Sequence, residues 1–117
     1  MIDDKLREVV SNLTRMAQRG DIVWSANAAN SGFVTTIENI SIELSRSVDQ
    51  VGRGFVKIAI RDENGKLVSK ATEKFLRGNV PVAGDGGTTG ILELYDSIIG
   101  KAREETLDRL LKATKRK

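Results

Sequence analysis

Residues 54–72 read GFVKIAIRDENGKLVSKAT, and their reading decides the fold. Val56, Ile58 and Ile60 alternate with Lys57, Ala59 and Arg61. A period of two places the first set on one face of a strand and the second set on the other. β-Branched residues in that register suit a pleated, half-buried surface. Asp62-Glu63-Asn64-Gly65-Lys66 interrupts the run. Asn64-Gly65 is the turn pair, because Gly65 takes positive φ without a Cβ clash. Leu67 and Val68 resume an extended chain to about Thr72. The stretch is therefore a β-hairpin, expected at the middle of a small sheet. Asp62, Glu63 and Asn64 also invite a divalent-ion loop. The calcium-loop pattern needs further oxygen ligands and a closing Glu at fixed spacing, and these are absent, so a solvated turn tip is the better reading.

Upstream, Phe33, Thr35 and Ile37 share one face, and Ile40, Ile42 and Leu44 share another. The first set is odd-numbered and the second even-numbered. A single straight strand cannot bury both, because a slip of one residue inverts the faces. Glu38-Asn39 is therefore a tight turn or a bulge, and the turn, between strands of about 33–37 and 40–46, is the preferred reading. Residues 21–25 predict a further short strand, with Ile22 and Trp24 on one side. Trp24, the only tryptophan, reads as a core plug rather than a stacking platform for a ligand. Residues 26–32 and 47–54 have no apolar period and read as loops.

Helices flank this meander. Ile2, Leu6, Val9, Val10, Leu13, Met16 and Ala17 recur at helical spacing. Asp3 and Asp4 stand in the first turn, Arg19 in the last, and Gly20 follows as a C′ residue. At the other end Ile91, Leu94, Tyr95, Ile98 and Ala102 form one stripe, which Leu107, Leu110, Leu111 and Thr114 continue with a slight change of phase. Gly100 lies between, so one long helix or two would fit. Residues 73–89 read as a connection, with Thr88 or Thr89 as the N-cap of the helix that starts near Ile91. The whole is one α+β domain over residues 1–117: a leading helix, about five short antiparallel strands, and one long or two C-terminal helices on one sheet face. Residues 112–117 read as a frayed basic tail.

The order of pieces resembles a loose group of small uncharacterised bacterial helix–antiparallel-sheet–helix domains. The residues carrying the likeness are Gly20-Asp21-Ile22-Val23-Trp24, Arg61-Asp62-Glu63-Asn64-Gly65 and Leu92-Glu93-Leu94-Tyr95. The resemblance implies this fold and a partner-binding role, and it brings no catalytic residue with it.

Composition narrows the chemistry. The chain has neither cysteine nor histidine. Disulfides, thiolate nucleophiles, His-based zinc sites and Ser-His-Asp triads are thereby excluded. No cofactor or metal site is expected, no carboxylate pair is placed for acid–base work, and enzymatic activity is not expected. No signal peptide or membrane-spanning run is visible, so a cytoplasmic location is expected.

The expected function is a non-enzymatic protein-interaction or self-assembly module, homo-oligomeric or bound to a protein partner. Leu92 and Ile99 lie off the main helical stripe, and Phe33 sits on a strand with β-forming residues on both sides; these three are the candidate interface residues. One alternative is an anion or nucleotide binder. There the glycine-rich residues 84–90, with Gly86, Gly87, Thr88 and Thr89, would cradle a phosphate-containing small molecule, helped by Arg53 and Arg61. The loop lacks the Gly-Lys-Ser/Thr ending of a P-loop. Arg46, Arg53, Lys57 and Arg61 are otherwise solvent-facing, although a basic sheet face receiving a nucleotide or an acidic partner is a lesser reading. A second alternative is weak nucleic-acid binding through the tail. Residues 101–117 carry 7 basic and 3 acidic side chains, whereas residues 1–100 carry 12 and 13. Cations at a helix C-terminus also favour the helix dipole, which is the simpler account of that tail.

Overall fold

A computed structural model describes residues 4–28, 31–48, 50, 52–76, 80, 81 and 90–115. The chain runs α1 (Asp4–Arg19), β1 (Ser25–Ala26), β2 (Gly32–Ile37), β3 (Ile40–Val48), β4 (Gly54–Arg61), β5 (Leu67–Leu76), β6 (Val80–Pro81) and α2 (Ile91–Lys115). The sheet is an antiparallel meander in sequence order, with four long strands between two-residue edge pieces. Pro81 stands on the edge strand, where its missing N–H breaks no inner ladder. The α+β class and the helix–meander–helix order expected above are what the chain adopts.

The turn between β2 and β3 resolves the parity conflict. Glu38 and Asn39 have φ of 54° and 66°, so both central residues are left-handed, as a two-residue hairpin with the native strand twist requires. Phe33 then pairs with Leu44, Thr35 with Ile42 and Ile37 with Ile40, so the odd and even sets share one face. The turn from β4 to β5 is held by Asp62, whose Oδ1 accepts from the N–H of Asn64 and of Lys66, both at 3.0 Å. Gly65 takes the positive φ there, at 81°. The pairing steps from Ile60–Ser69 to Arg61–Leu67, leaving Val68 as a bulge.

Several boundaries differ from expectation. The strand expected at 21–25 shrinks to Ser25–Ala26, with Ile22 and Trp24 packed beside the core in irregular backbone. β5 continues through residues 73–76, where a connection was expected. α2 is one helix through Gly100 and reaches Lys115, so the frayed tail does not begin at 112. Its N-cap is Gly90, whose carbonyl accepts from the Leu94 N–H at 3.0 Å, rather than Thr88 or Thr89. α1 ends as expected: Gly20, at φ 76°, donates to the Ala17 carbonyl at 3.2 Å and Asp21 donates to the Met16 carbonyl at 2.9 Å, the paired bonds of a Schellman cap.

The core lies between the sheet and the helices. Val10, Leu44, Val56, Ile58, Ile91 and Leu94 are fully buried. Leu6, Leu13 and Ala17 of α1 join them, as do Ile42, Phe75 and Ile98. α1 packs on α2, and α2 packs on β4 and β5. The first turns of α2 therefore have neighbours on two sides, and a wider arc than one stripe is buried there. Leu92 belongs to that arc at 4% exposure. Among the described residues no helix is long and apolar enough to cross a membrane.

Candidate interaction surfaces

α2 is 25 residues long, about 37 Å at 1.5 Å per residue. Only its first part is packed. Every residue from 102 to 115 is exposed. Leu107, Leu110 and Leu111 are respectively 43%, 54% and 55% exposed. At about 100° per residue they cluster on one side of the helix, about 160° from the face that Leu94 and Ile98 bury. Ile99, 38% exposed, borders this stripe. Read from spacing, these leucines continue the core stripe with a slight change of phase; the helical angle instead sets them nearly opposite it, and the structure turns them to solvent.

Of the three expected interface residues, only Ile99 is on the surface. Leu92 is core. Phe33 faces the helices, its ring 5.6 Å from that of Tyr95 and inclined at 54°. Phe33 also lines a cleft of about 150 Å³ together with Gly20, Ile22, Trp24, Ile98 and Lys101. The indole Nε1 of Trp24 is buried without a hydrogen-bond partner, so it does not reach into solvent through this cleft.

Gly86, Gly87, Thr88 and Thr89 lie outside the described residues. The helix start just after them is described, and it already holds a carboxylate. Glu73, 7% exposed, places Oε1 3.5 Å from the Leu92 N–H. A carboxylate at that position favours the helix dipole. It also means that an incoming phosphate would meet like charge. Asp96 lies near by: burial pushes its carboxyl above the ordinary value, the Arg46 charge lowers it, and Glu73 raises it further. The Arg46 guanidinium sits 4.6 Å above the Phe75 ring. These polar groups seat the start of α2 against β5. Glu73 was missed in the sequence because an acid in a strand normally marks the solvent face.

Arg53 and Arg61 do not converge on that helix start. They stand at opposite ends of β4, about 26 Å apart along an extended chain. Arg61 lies on the sheet face turned away from the helices, 3.9 Å from Glu43. The same Glu43 accepts a hydrogen bond from the side chain of Asn27 at 3.1 Å. Cross-strand partners share a face, so Phe55, Lys57 and Ala59 of β4 lie beside Lys74, Thr72 and Lys70 of β5 on this outer surface. On β4 and β5 its bulky apolar side chains are Phe55 and Leu67, at opposite ends of the ladder, and Lys57, Lys70 and Lys74 are exposed between them. Among the described residues no three Asp or Glu side chains gather where one metal ion would join them.

Comparison with protein families, with curated proteins and with solved structures finds no match for the chain.

Proposed function

We propose that the chain is a non-enzymatic assembly module that pairs with a second copy of itself through the distal half of α2. The observation that carries this reading is the exposed stripe of Leu107, Leu110 and Leu111, on a helical segment whose residues 102–115 are all exposed. Contiguous apolar surface of this kind marks an interaction site more often than it marks idle solvent exposure.

Charge favours a second copy over an unrelated partner, and sets its direction. Glu104, Glu105 and Asp108 flank Leu107 and outweigh Arg103 in the first part of this segment, while Arg109, Lys112 and Lys115 lie beside and beyond Leu110 and Leu111. Antiparallel pairing lays the acidic part of one helix beside the basic part of the other. Parallel pairing would stack the basic ends. The contact is small: the distal half is about 21 Å long and a helix about 10 Å wide, well short of the roughly 800 Å² per partner of a standard stable interface. Association is therefore weak and concentration-dependent.

Sedimentation equilibrium of the full chain across a concentration series tests this. A monomer–dimer equilibrium between 12.8 kDa and twice that mass is expected, weakened by salt and abolished by Leu110→Lys. A mass fixed at the monomer value up to millimolar protein would refute it. Leu92→Asp is not a usable probe, because it places a charge in the core.

The anion-binding alternative keeps only its sequence argument, and the Glu73 carboxylate at the helix start weighs against it.

A further inference from the structure

The sheet face away from the helices has a composition that assembly through α2 does not call for. Across β3, β4 and β5 its rows are Ser47–Phe55–Lys74, Ser45–Lys57–Thr72 and Glu43–Ala59–Lys70, with Ser41–Arg61–Leu67 following. Four of these side chains are cationic and one is anionic. The anion is engaged, since Glu43 is held by Asn27 and Arg61. Lys57, Lys70 and Lys74 are exposed, and among the described residues none of them is in an ion pair. Residues 1–100 total −1 in formal charge. The face alone totals +3, which leaves −4 for the rest of those residues. The charge is thus segregated onto one surface, which a merely solvated sheet does not require.

We propose that this face binds a single-stranded polynucleotide, with Lys57, Lys70 and Lys74 on its phosphates and the Phe55 ring stacked under a base. Phe55 is half-buried, with Lys74 directly across the ladder and Lys57 two residues along its own strand. An aromatic ring set between cations is the pairing that single strands recognise, since every base offers a π-face and every linkage a negative charge. Ser45, Ala59 and Thr72 keep the floor between the lysines low. Lys70 and Lys74 are about 13 Å apart along β5. A broad, flat sheet face does not enter a duplex groove, which admits a helix or a two-stranded ribbon, but it accommodates splayed bases. A bilayer surface is disfavoured because Phe55 and Leu67 stand at opposite ends of the β4–β5 ladder and form no apolar cluster to insert, and an acidic peptide gives Phe55 no role.

Fluorescence anisotropy with labelled twelve-nucleotide oligouridylate and oligothymidylate tests the proposal on the full chain. Binding of at least one is expected at 50 mM salt, stronger than binding of a duplex of equal length. Tighter binding of the first identifies RNA as the ligand, and of the second DNA. Three phosphate contacts give a slope of log affinity on log salt near −2, so raising salt to 200 mM should weaken binding roughly 20-fold. The triple variant Lys57→Gln/Lys70→Gln/Lys74→Gln should abolish most of that slope while its circular dichroism stays that of the parent. Phe55→Leu should weaken binding about tenfold with the slope unchanged. The proposal is overturned by no binding at about 100 μM protein, or by a triple variant that binds like the parent. Loss in Lys112→Gln/Lys115→Gln instead, or equal displacement by polyglutamate or by anionic vesicles, overturns it as well.

Discussion

Phe75 lays its ring across the backbone of Gly54, its cross-strand partner in the β4–β5 ladder. A β-carbon on Gly54 would collide with two ring atoms and crowd a third. The glycine thus makes room for a ring that is 5% exposed and that carries Arg46 on its other surface. Gly54→Ala forces the ring out of this seat. Overpacking of that kind costs about 1–3 kcal/mol, which for a chain this size lowers the melting temperature by about 4 °C or more. Thermal unfolding checks the value. The double variant Gly54→Ala/Phe75→Leu should recover part of the loss, because the smaller side chain vacates the contested space.

The β2–β3 turn predicts a gain. Glu38 holds φ of 54° with no side-chain feature that favours it. Asn tolerates the left-handed region better, and Asn-Asn or Asn-Gly suits this turn type. Glu38→Asn should stabilise the fold by about 0.5–1 kcal/mol, whereas Glu38→Val should destabilise it. Urea titration of the two variants reads opposite signs.

The hairpin at 54–72, the turn at 38–39 and α1 with its glycine cap were legible because local rules and packing agree there. Val56 and Ile58 alternate toward a core that exists, and Asn39 sits where a left-handed residue is needed. Legibility failed where one residue serves a tertiary purpose against its local preference. Glu73 occupies a core-facing position of β5 because it meets the start of α2, and this hid residues 73–76 as a strand. With β5 cut short, Lys74 could not be placed beside Phe55, so the basic sheet face stayed a lesser reading built on Lys57 and Arg61 without Lys70 and Lys74. Leu107, Leu110 and Leu111 show a different limit. Read from spacing they join the core stripe with a slight change of phase, whereas over the thirteen residues from Leu94 to Leu107 the helical angle carries them nearly to the opposite side.

Asp96 gives a pH dependence. Its folded-state carboxyl titrates above the ordinary value because burial and Glu73 disfavour the charged form more than Arg46 favours it. The native state therefore binds this proton more tightly than the unfolded chain does. The group's stabilising contribution is complete below the ordinary carboxylate value and is lost as pH rises through the folded-state value. Asp96→Asn removes that dependence. The variant's stability relative to the parent should be greater at pH 7 than at pH 4, as measured by denaturant unfolding at both. Equal differences at the two pH values would contradict the inference.

Glu73 should behave as a cap. Its carboxylate serves the Leu92 N–H in a buried setting. Glu73→Ala leaves that donor without its acceptor and removes a favourable charge from the helix start, together about 1–3 kcal/mol. Glu73→Gln retains an acceptor and should lose less. Chemical denaturation orders the three proteins, and a Gln variant as unstable as the Ala variant would assign the effect to charge alone.

Gly100 joins the packed and the projecting halves of α2. It is exposed, and a β-carbon there meets nothing within 4 Å. Gly100→Ala should stabilise the helix by about 1 kcal/mol. The distal half gains more than the proximal half from this change. A helix of some fifteen residues without tertiary packing is marginal in water, so in a monomer this half depends on propagation from the packed turns through Gly100. Alanine there raises its helical population, and a preorganised stripe associates more tightly because less ordering accompanies pairing. Helix content by circular dichroism and the dimer constant by sedimentation should therefore rise together in Gly100→Ala. Gly100→Pro should lower both while leaving the near-ultraviolet signal of the core, since Ile91, Leu94 and Ile98 all precede the break. A rise in helix content with an unchanged dimer constant would separate the distal half from assembly.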